Sequence, residues 1–184
     1  MIIASIMILF VTLMFHELGH YIFIKKYQYP IEKITFGIGP VLYQWKDQNI
    51  KFSIRLFPIC AEIECHMLIE KRNRENLKNN LLIILSGVAI NFFMSFLGVI
   101  CLWFQIDKMV PFANANTIVY LFILIQMIIG MFNLLPLYIT DGSLVVESLL
   151  DYFDVLDFMK KIIYHLTNII GIMLFIFFAC ELFF

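Results

Sequence analysis

The sequence predicts an all-α polytopic membrane protein with about four transmembrane helices and a membrane-associated β-hairpin loop between helices 1 and 2. Two properties of the composition point to this class: 62% of the 184 residues are hydrophobic and only 15% are charged. Soluble domains contain roughly 45–50% apolar and about 25% charged residues. The mean hydropathy of +0.90 is too high for a soluble core of this size. We therefore expect residues 1–184 to form a single membrane domain.

The charge balance and the cysteines exclude several other classes. A net charge of −1 leaves no basic surface for nucleic acid, so we expect no nucleic-acid partner. Cys101 and Cys180 lie in apolar runs, where a thiol usually acts as a small hydrophobe rather than as part of a disulfide framework. The spacing of Cys60, Cys65 and His66 matches no common zinc element, and an ordinary strand and a second metal site both stay open there.

Four apolar stretches are long enough to cross a bilayer, which requires about 20 residues. The first stretch contains ionisable residues only at His16, Glu17 and His20, and the third ends at Pro136. The predicted spans are residues 2–24, 81–104, 117–135 and 162–180.

The loop 31–59 has a different pattern from the spans. Apolar and polar residues alternate around the turn-forming string KDQN, which is typical of a hairpin. Gly37, Gly39 and Pro40 interrupt any helix. Non-helical backbone in a bilayer must be buried against protein or line a wet cavity, so a loop that enters the membrane and a hairpin on the cytoplasmic surface both remain open.

The segment 143–159 has apolar residues at helical spacing, which predicts an amphipathic helix at the membrane interface. Asp151, Asp154 and Asp157 are expected on its solvated side.

The distribution of basic residues predicts the orientation in the membrane. Because cytoplasmic loops are enriched in Lys and Arg, both termini should lie outside. The composition, rich in Lys, Ile, Phe and Asn, is typical of an AT-rich bacterial genome, and we expect a multi-pass protein of the bacterial plasma membrane. The basic residues between the first two predicted spans are Lys25, Lys26, Lys33, Lys46, Lys51, Arg55, Lys71, Arg72, Arg74 and Lys78.

The string His16-Glu17-Leu18-Gly19-His20 is an HExxH motif inside the first span. On a helix, His16 and His20 lie one turn apart on the same face, so both imidazoles can bind one metal ion, and Glu17 can reach a water on that ion. Ionisable groups within a span are costly and usually functional. The motif predicts a metal site in the cytoplasmic third of the bilayer.

Two histidines leave a zinc site short of ligands, because catalytic zinc usually has three protein ligands. Asp141 follows the helix break at Pro136 and reaches the same membrane face. From the residues alone, Asp141 is either the third ligand or the N-cap of the next helix. Glu147 and the three later aspartates are more typical of a solvated helix face, and His165 of helix packing.

Four strings together resemble the site-2 protease family of intramembrane zinc metalloproteases: HELGH, FGIGP, SGVAIN and NLLPLYITDG. The resemblance implies one Zn²⁺ per chain, bound by His16, His20 and Asp141, with Glu17 as the catalytic acid and base. It also implies that Asn91 and Asn133 contact the substrate backbone, and we add Gly37 and Gly39 of the loop to the predicted substrate-binding residues.

The chain departs from the family pattern at a few positions. Val88 stands where the family usually has Pro, and Thr140 where it has Leu before Asp-Gly. Only residues 105–116 separate the second and third spans, so we expect a minimal form without a PDZ module or a C-terminal regulatory domain.

The predicted function is zinc-dependent hydrolysis of a peptide bond in or near a transmembrane segment of another membrane protein, as in regulated intramembrane proteolysis. The expected partners are a membrane protein or peptide substrate and the lipid bilayer, and the oligomeric state stays open. One alternative is a protease that matures a small secreted or modified peptide. Another is a non-catalytic metal-binding membrane scaffold.

Overall fold

The structure is a computed structural model, and it describes residues 2–47, 50–65, 77–104, 115–138 and 140–183. In these ranges the chain is mostly helical, with one small sheet after the first helix. The elements in chain order are α1 (Ile2–Lys26), β1 (Lys33–Asp47), β2 (Ile50–Glu64), α2 (Leu77–Trp103), α3 (Ala115–Leu134), α4 (Asp141–Tyr152) and α5 (Asp157–Phe183).

Four of these helices are long and apolar enough to cross a membrane: α1, α2, α3 and α5. Their outer surfaces carry large apolar side chains such as Phe93 and Phe96, which are more than half exposed, as contact with hydrocarbon requires. The chain is therefore a multi-pass membrane protein. The predicted number of spans agrees with the helices of the structure.

Helices α1 and α2 approach each other closely because both carry glycine at the crossing. A Cβ added to Gly19 would lie 2.5 Å from the carbonyl oxygen of Ser86, so no larger residue fits there. Helices α2 and α3 also pack against each other, with Gly98 facing Ile123 and Gly130 facing Asn91. These three helices form the frame on which the polar residues of α1 are held.

The sheet is formed by the two long antiparallel strands β1 and β2. Their hairpin end pairs Asp47 with Ile50 and stacks Trp45 on Phe52. The first part of β1, Lys33–Phe36, pairs both with Lys51–Ile54 and with Ala61–Glu64. The predicted hairpin is thus present, but β2 continues five residues beyond the predicted end at residue 59.

This extension of β2 has a physical reason in the core next to it. The buried core residues include Ile24 of α1, Ile34 of β1, Cys65 after β2 and Ile83 of α2, and Ile63 packs against them. Apolar side chains therefore hold the end of β2 against the C-terminal part of α1 and the N-terminal part of α2. Cys65 is buried there, and its thiol donates to the carbonyl oxygen of Pro30 at 2.9 Å. The side chain of Cys60 and the residue His66 lie outside the described residues.

The prediction of an interfacial helix over 143–159 is wrong in its boundaries. Helix α4 ends at Tyr152, and α5 already begins at Asp157, five residues before the predicted span. Asp154 lies in the intervening turn with φ 49°, so the three aspartates do not form one helical stripe. Instead, Lys160 Nζ lies 2.9 Å from Asp151 Oδ1 and 3.6 Å from Asp157 Oδ1, and this bridge joins the two helices.

The connection 105–116, predicted to be short, lies mostly outside the described residues, as do the turn residues 48 and 49 of the hairpin.

Candidate metal centre

The two histidines of the HExxH motif lie on one face of α1, as the helical spacing predicts. Their Nε2 atoms are 3.2 Å apart. The first residue of α4 completes a triangle with them, because Asp141 Oδ2 lies 3.2 Å from His16 Nε2 and 3.4 Å from His20 Nε2. The three side chains are 5–12% exposed. The structure thus brings together three side chains that could hold a metal ion.

The size of this triangle can be compared with what a metal ion requires. Zinc in tetrahedral sites has bonds of about 2.0–2.1 Å, which separates its ligand atoms by roughly 3.3 Å. The three distances of 3.2, 3.2 and 3.4 Å agree with that separation. Asp141 Oδ2 is also buried without a hydrogen-bond partner among the described residues. Two imidazoles and a carboxylate are ordinary zinc ligands, so the residues fit the metal.

The ring of His20 is fixed from the side opposite Asp141. Its Nδ1 atom lies 2.8 Å from the carbonyl oxygen of Ile83 on α2 and donates a hydrogen bond to it. Nδ1 therefore carries a proton, and Nε2, which faces Asp141, is the nitrogen available to bind a metal. This is the usual arrangement of a metal-binding histidine, whose second nitrogen donates to a carbonyl or carboxylate.

A tight turn after Pro136 places Asp141 next to the two histidines. The hydroxyl of Thr140 donates to the carbonyl oxygens of Leu135 and Leu137, and the second of these contacts is 2.9 Å. Each of these carbonyls also accepts a backbone N–H within the turn, that of Leu135 from Leu137 at 2.9 Å and that of Leu137 from Thr140 at 3.0 Å. Gly142 is needed just after the turn, since a Cβ there would lie 2.4 Å from the carbonyl oxygen of Leu135.

The sequence left open whether Asp141 is a ligand or an N-cap, and the structure separates the two roles. The N-cap of α4 is Thr140, and the carboxylate of Asp141 points to His16 and His20 instead. Burial alone would raise the pKa of the Asp141 carboxyl, but the two histidines beside it outweigh burial and lower the pKa to about 2. The carboxylate therefore remains anionic near neutral pH, as cation binding requires.

Gly87 of α2 leaves the space that the two imidazoles occupy. A Cβ at this position would lie 2.5 Å from His20 Nε2 and 2.8 Å from His16 Nε2. A glycine on a helix face often serves only close packing between helices. The structure gives it a more specific role, because the residue borders the candidate metal ligands directly.

A cavity of about 500 Å³ opens beside the triangle. Glu17 and His20 from α1 line it, as does Asp141. Glu17 also borders a second cavity, of about 300 Å³, whose wall is almost wholly apolar and includes Leu18, Phe36 and Ile63. A carboxylate next to the metal ligands and a mixed polar and apolar cavity are what a hydrolytic site for a peptide needs.

The comparison with known protein families agrees with this geometry. The model of peptidase family M50 matches residues 4–109, which is more than half of the chain and includes the HExxH helix, the sheet and α2. This chain belongs to peptidase family M50. The resemblance to the site-2 proteases seen in the four sequence strings is thereby confirmed.

Several bacterial proteins with zinc metalloprotease names are similar to parts of this M50 chain. A protein of Nostoc sp. strain PCC 7120 is 31% identical over 58 residues, which are 32% of this chain and 16% of that protein. A Thermotoga maritima protein is 34% identical over 58 residues, 32% of this chain and 12% of that protein. A Fusobacterium nucleatum protein is 23% identical over 101 residues, 52% of this chain and 30% of that protein. The matches span less than a third of each of these relatives.

The residues predicted to bind substrate in this M50 chain lie in three different places. Asn91 is fully buried against His16. The amide of Asn133 donates to the carbonyl of Ile129 on its own helix, at 3.1 Å. Gly37 and Gly39 form the bend of β1, with φ 92° and 89°, and they are not among the described residues that line the two cavities. Their substrate roles stay predictions.

Sequence reasoning missed two polar residues of this M50 site. Glu62 of β2 and Tyr138 of the turn both line the larger cavity. The hydroxyl of Tyr138 also forms a hydrogen bond with Nδ1 of His165, which connects that histidine to the cavity wall. The sequence around Glu62 is typical of a solvated strand, and only the packing of β2 beside α1 shows that this residue lines the cavity. Tyr138 could have been noticed from its place within NLLPLYITDG.

Proposed function

We propose that this chain is a zinc-dependent intramembrane endopeptidase that hydrolyses a peptide bond in or near a transmembrane segment of a membrane protein. The observation that carries the proposal is the triangle of His16 Nε2, His20 Nε2 and Asp141 Oδ2, with Glu17 on the wall of the adjoining cavity. Membership of family M50 supports the metalloprotease chemistry, and the position of the motif in an apolar helix supports a site within the membrane.

His16, His20 and Asp141 would hold the metal, one ion per chain. Bound zinc supplies Lewis acidity, which makes water nucleophilic near neutral pH and polarises a carbonyl. Glu17 takes the proton of the attacking water and later passes it to the leaving amine. Its position between the two cavities allows it to face both the water and the scissile bond.

The cavity also indicates how a substrate would be held. A transmembrane helix hides its peptide bonds in internal hydrogen bonds, so the segment has to be extended before cleavage. Residues Ala61–Ile63 of β2 line the cavity beside Glu17, and a substrate strand could run alongside them. Asn133, one turn before Pro136, would then contact the substrate carbonyl once its amide leaves the carbonyl of Ile129.

We place the protein in the bacterial plasma membrane, with both termini outside and the active site toward the cytoplasm. The basic residues after α1 support this orientation, and the relatives named above are all bacterial.

The test uses purified, zinc-loaded protein in phospholipid vesicles and two quenched fluorescent peptides. One is a 20-residue apolar transmembrane segment with a central Asn-Pro pair, and the other is a short water-soluble peptide of the same central sequence. We expect the wild type to cleave the membrane peptide and Glu17→Gln to lose at least a hundredfold in rate while it retains its zinc. A zinc chelator should abolish cleavage, and added zinc should restore it.

Equal cleavage by the wild type and Glu17→Gln would contradict the proposal. Cleavage of the soluble peptide alone would favour the alternative of a protease for small secreted or modified peptides. Zinc binding without cleavage of either peptide would favour a metal-binding scaffold.

A further inference from the structure

The amide of Asn91 contacts the imidazole of His16 at the nitrogen that does not face Asp141. Asn91 Nδ2 lies 3.1 Å from His16 Nδ1, and the residue is fully buried. The other atom of the same amide, Oδ1, is buried without a hydrogen-bond partner among the described residues. A buried amide with one atom on a metal-ligand ring and the other unpaired needs an explanation, because leaving such a group unpaired is costly.

The two nitrogens of a neutral imidazole have opposite roles, since one donates a hydrogen and the other accepts one. When the N–H of Asn91 donates to Nδ1 of His16, the ring proton sits on Nε2, the atom that lies 3.2 Å from Asp141 Oδ2. A metal ion on Nε2 requires the lone pair of that atom, so the ring proton must then sit on Nδ1. Nδ1 then donates a hydrogen bond, so its partner must be an acceptor and no longer a donor.

We propose that Asn91 is a positioning residue for His16, and that its amide forms a hydrogen bond with the imidazole both without metal and with metal bound. Without metal it presents its N–H to Nδ1, and with metal on Nε2 it turns to present Oδ1, the atom that is now unpaired. The inference rests on the proposed metal site and is independent of proteolysis.

The surroundings of Asn91 fit this role better than contact with substrate. Gly130 of α3 packs on the Asn91 side chain, at 3.4 Å from a Cβ added to the glycine, and the amide has no exposed surface. A substrate could reach it only if α2 and α3 separated. The other ligand, His20, has a fixed acceptor for its Nδ1 in the carbonyl of Ile83. His16 has an amide in the corresponding place, which can act as donor or acceptor.

The test is a titration of purified, metal-stripped full-length protein in detergent with Co²⁺, followed by its visible absorption. Asn91→Leu keeps the size of the side chain and removes both hydrogen-bonding atoms. We expect its Co²⁺ affinity to fall by about 10- to 100-fold, as is usual when the outer partner of a ligating histidine is lost. Asn91→Asp retains an acceptor for Nδ1, and its affinity should stay within about threefold of the wild type.

The matched control is Ser95→Ala, a buried polar residue one turn further along the same face of α2. It should bind Co²⁺ as the wild type does. An unchanged affinity in Asn91→Leu would overturn the proposal, as would equal losses in Asn91→Leu and Asn91→Asp. Thermal unfolding of each metal-free variant shows whether it is folded.

A second measurement needs no variant. In the metal-free wild type with ¹⁵N-labelled histidine, the NMR spectrum should show His16 protonated at Nε2, and added Zn²⁺ should move the proton to Nδ1. A proton already on Nδ1 before metal is added would overturn the proposal. Neither readout uses a substrate, so the inference can fail while the proposed protease activity stands, and the reverse is equally possible.

Discussion

A Cβ on Gly87 would lie only 2.5 Å from Nε2 of His20, the atom that faces Asp141. The same Cβ would lie 2.8 Å from Nε2 of His16, so this glycine sets the space available to both imidazoles. The close approach of α1 and α2 thus belongs to the candidate metal centre as well as to the packing of the bundle.

The first prediction concerns this contact. Gly87→Ala should push the imidazoles apart and lower zinc affinity by at least tenfold, because the nearest atoms belong to ligands whose positions are fixed by other bonds. Gly98→Ala is the matched control on the same helix. Its Cβ would meet the flexible side chain of Ile123, which can move, so zinc affinity should be retained. Isothermal titration with zinc distinguishes the two, and equal affinities would contradict the prediction.

The second prediction concerns the ligand set. His16→Ala and Asp141→Ala should each lose zinc after dialysis against a weak chelator, because two remaining protein ligands hold the metal poorly. Asp157→Ala removes a carboxylate that is 95% exposed at the start of α5 and should keep one zinc per chain. Metal analysis of the dialysed proteins measures this. Full retention of zinc in Asp141→Ala would refute its assignment as a ligand.

The third prediction concerns the turn that carries Asp141. Thr140→Val removes the hydroxyl that bonds to the carbonyls of Leu135 and Leu137, and each carbonyl keeps one backbone N–H partner. We expect a loss of about 0.5–1.5 kcal/mol in the free energy of unfolding, together with weaker zinc binding.

Thr167→Val provides the comparison for this third variant. Thr167 also donates to a carbonyl three residues earlier, that of Tyr164, but it lies on α5 away from the three candidate ligands. It should lower thermal stability less and leave zinc affinity unchanged. If both variants bind zinc as the wild type does, the turn has no part in placing Asp141.

The fourth prediction concerns orientation. Epitopes inserted into the full-length chain within residues 66–76 should be protected in intact spheroplasts, and epitopes within residues 105–114 should be accessible. The reason is the excess of Lys and Arg between the first two spans. Antibody labelling before and after permeabilisation measures this. Accessibility of the first epitope in intact spheroplasts would reverse the predicted topology.

Much of the fold could be predicted because its signals are local. A span requires only a sufficient run of apolar residues, and four such runs correspond to α1, α2, α3 and α5. The relation between His16 and His20 is also local, since any helix brings residues four apart onto one face.

Other features depended on contacts that the sequence does not display. The break between α4 and α5 was misplaced, because Asp154 adopts a turn conformation within a run that has helical spacing. Glu62 was not singled out, because alternation along β2 does not tell which strand residues face α1.

The sequence by itself determined that this protein has four stretches long and apolar enough to cross a membrane and carries an HExxH helix, because span length and helical periodicity are properties of consecutive residues. Only the tertiary structure decided that Asp141 faces His16 and His20, that Gly87 leaves room for their rings, and that Asn91 lies buried behind His16. These relationships join residues of different helices. Their distances depend on how the glycine-lined helices pack and on where the turn after Pro136 directs the chain.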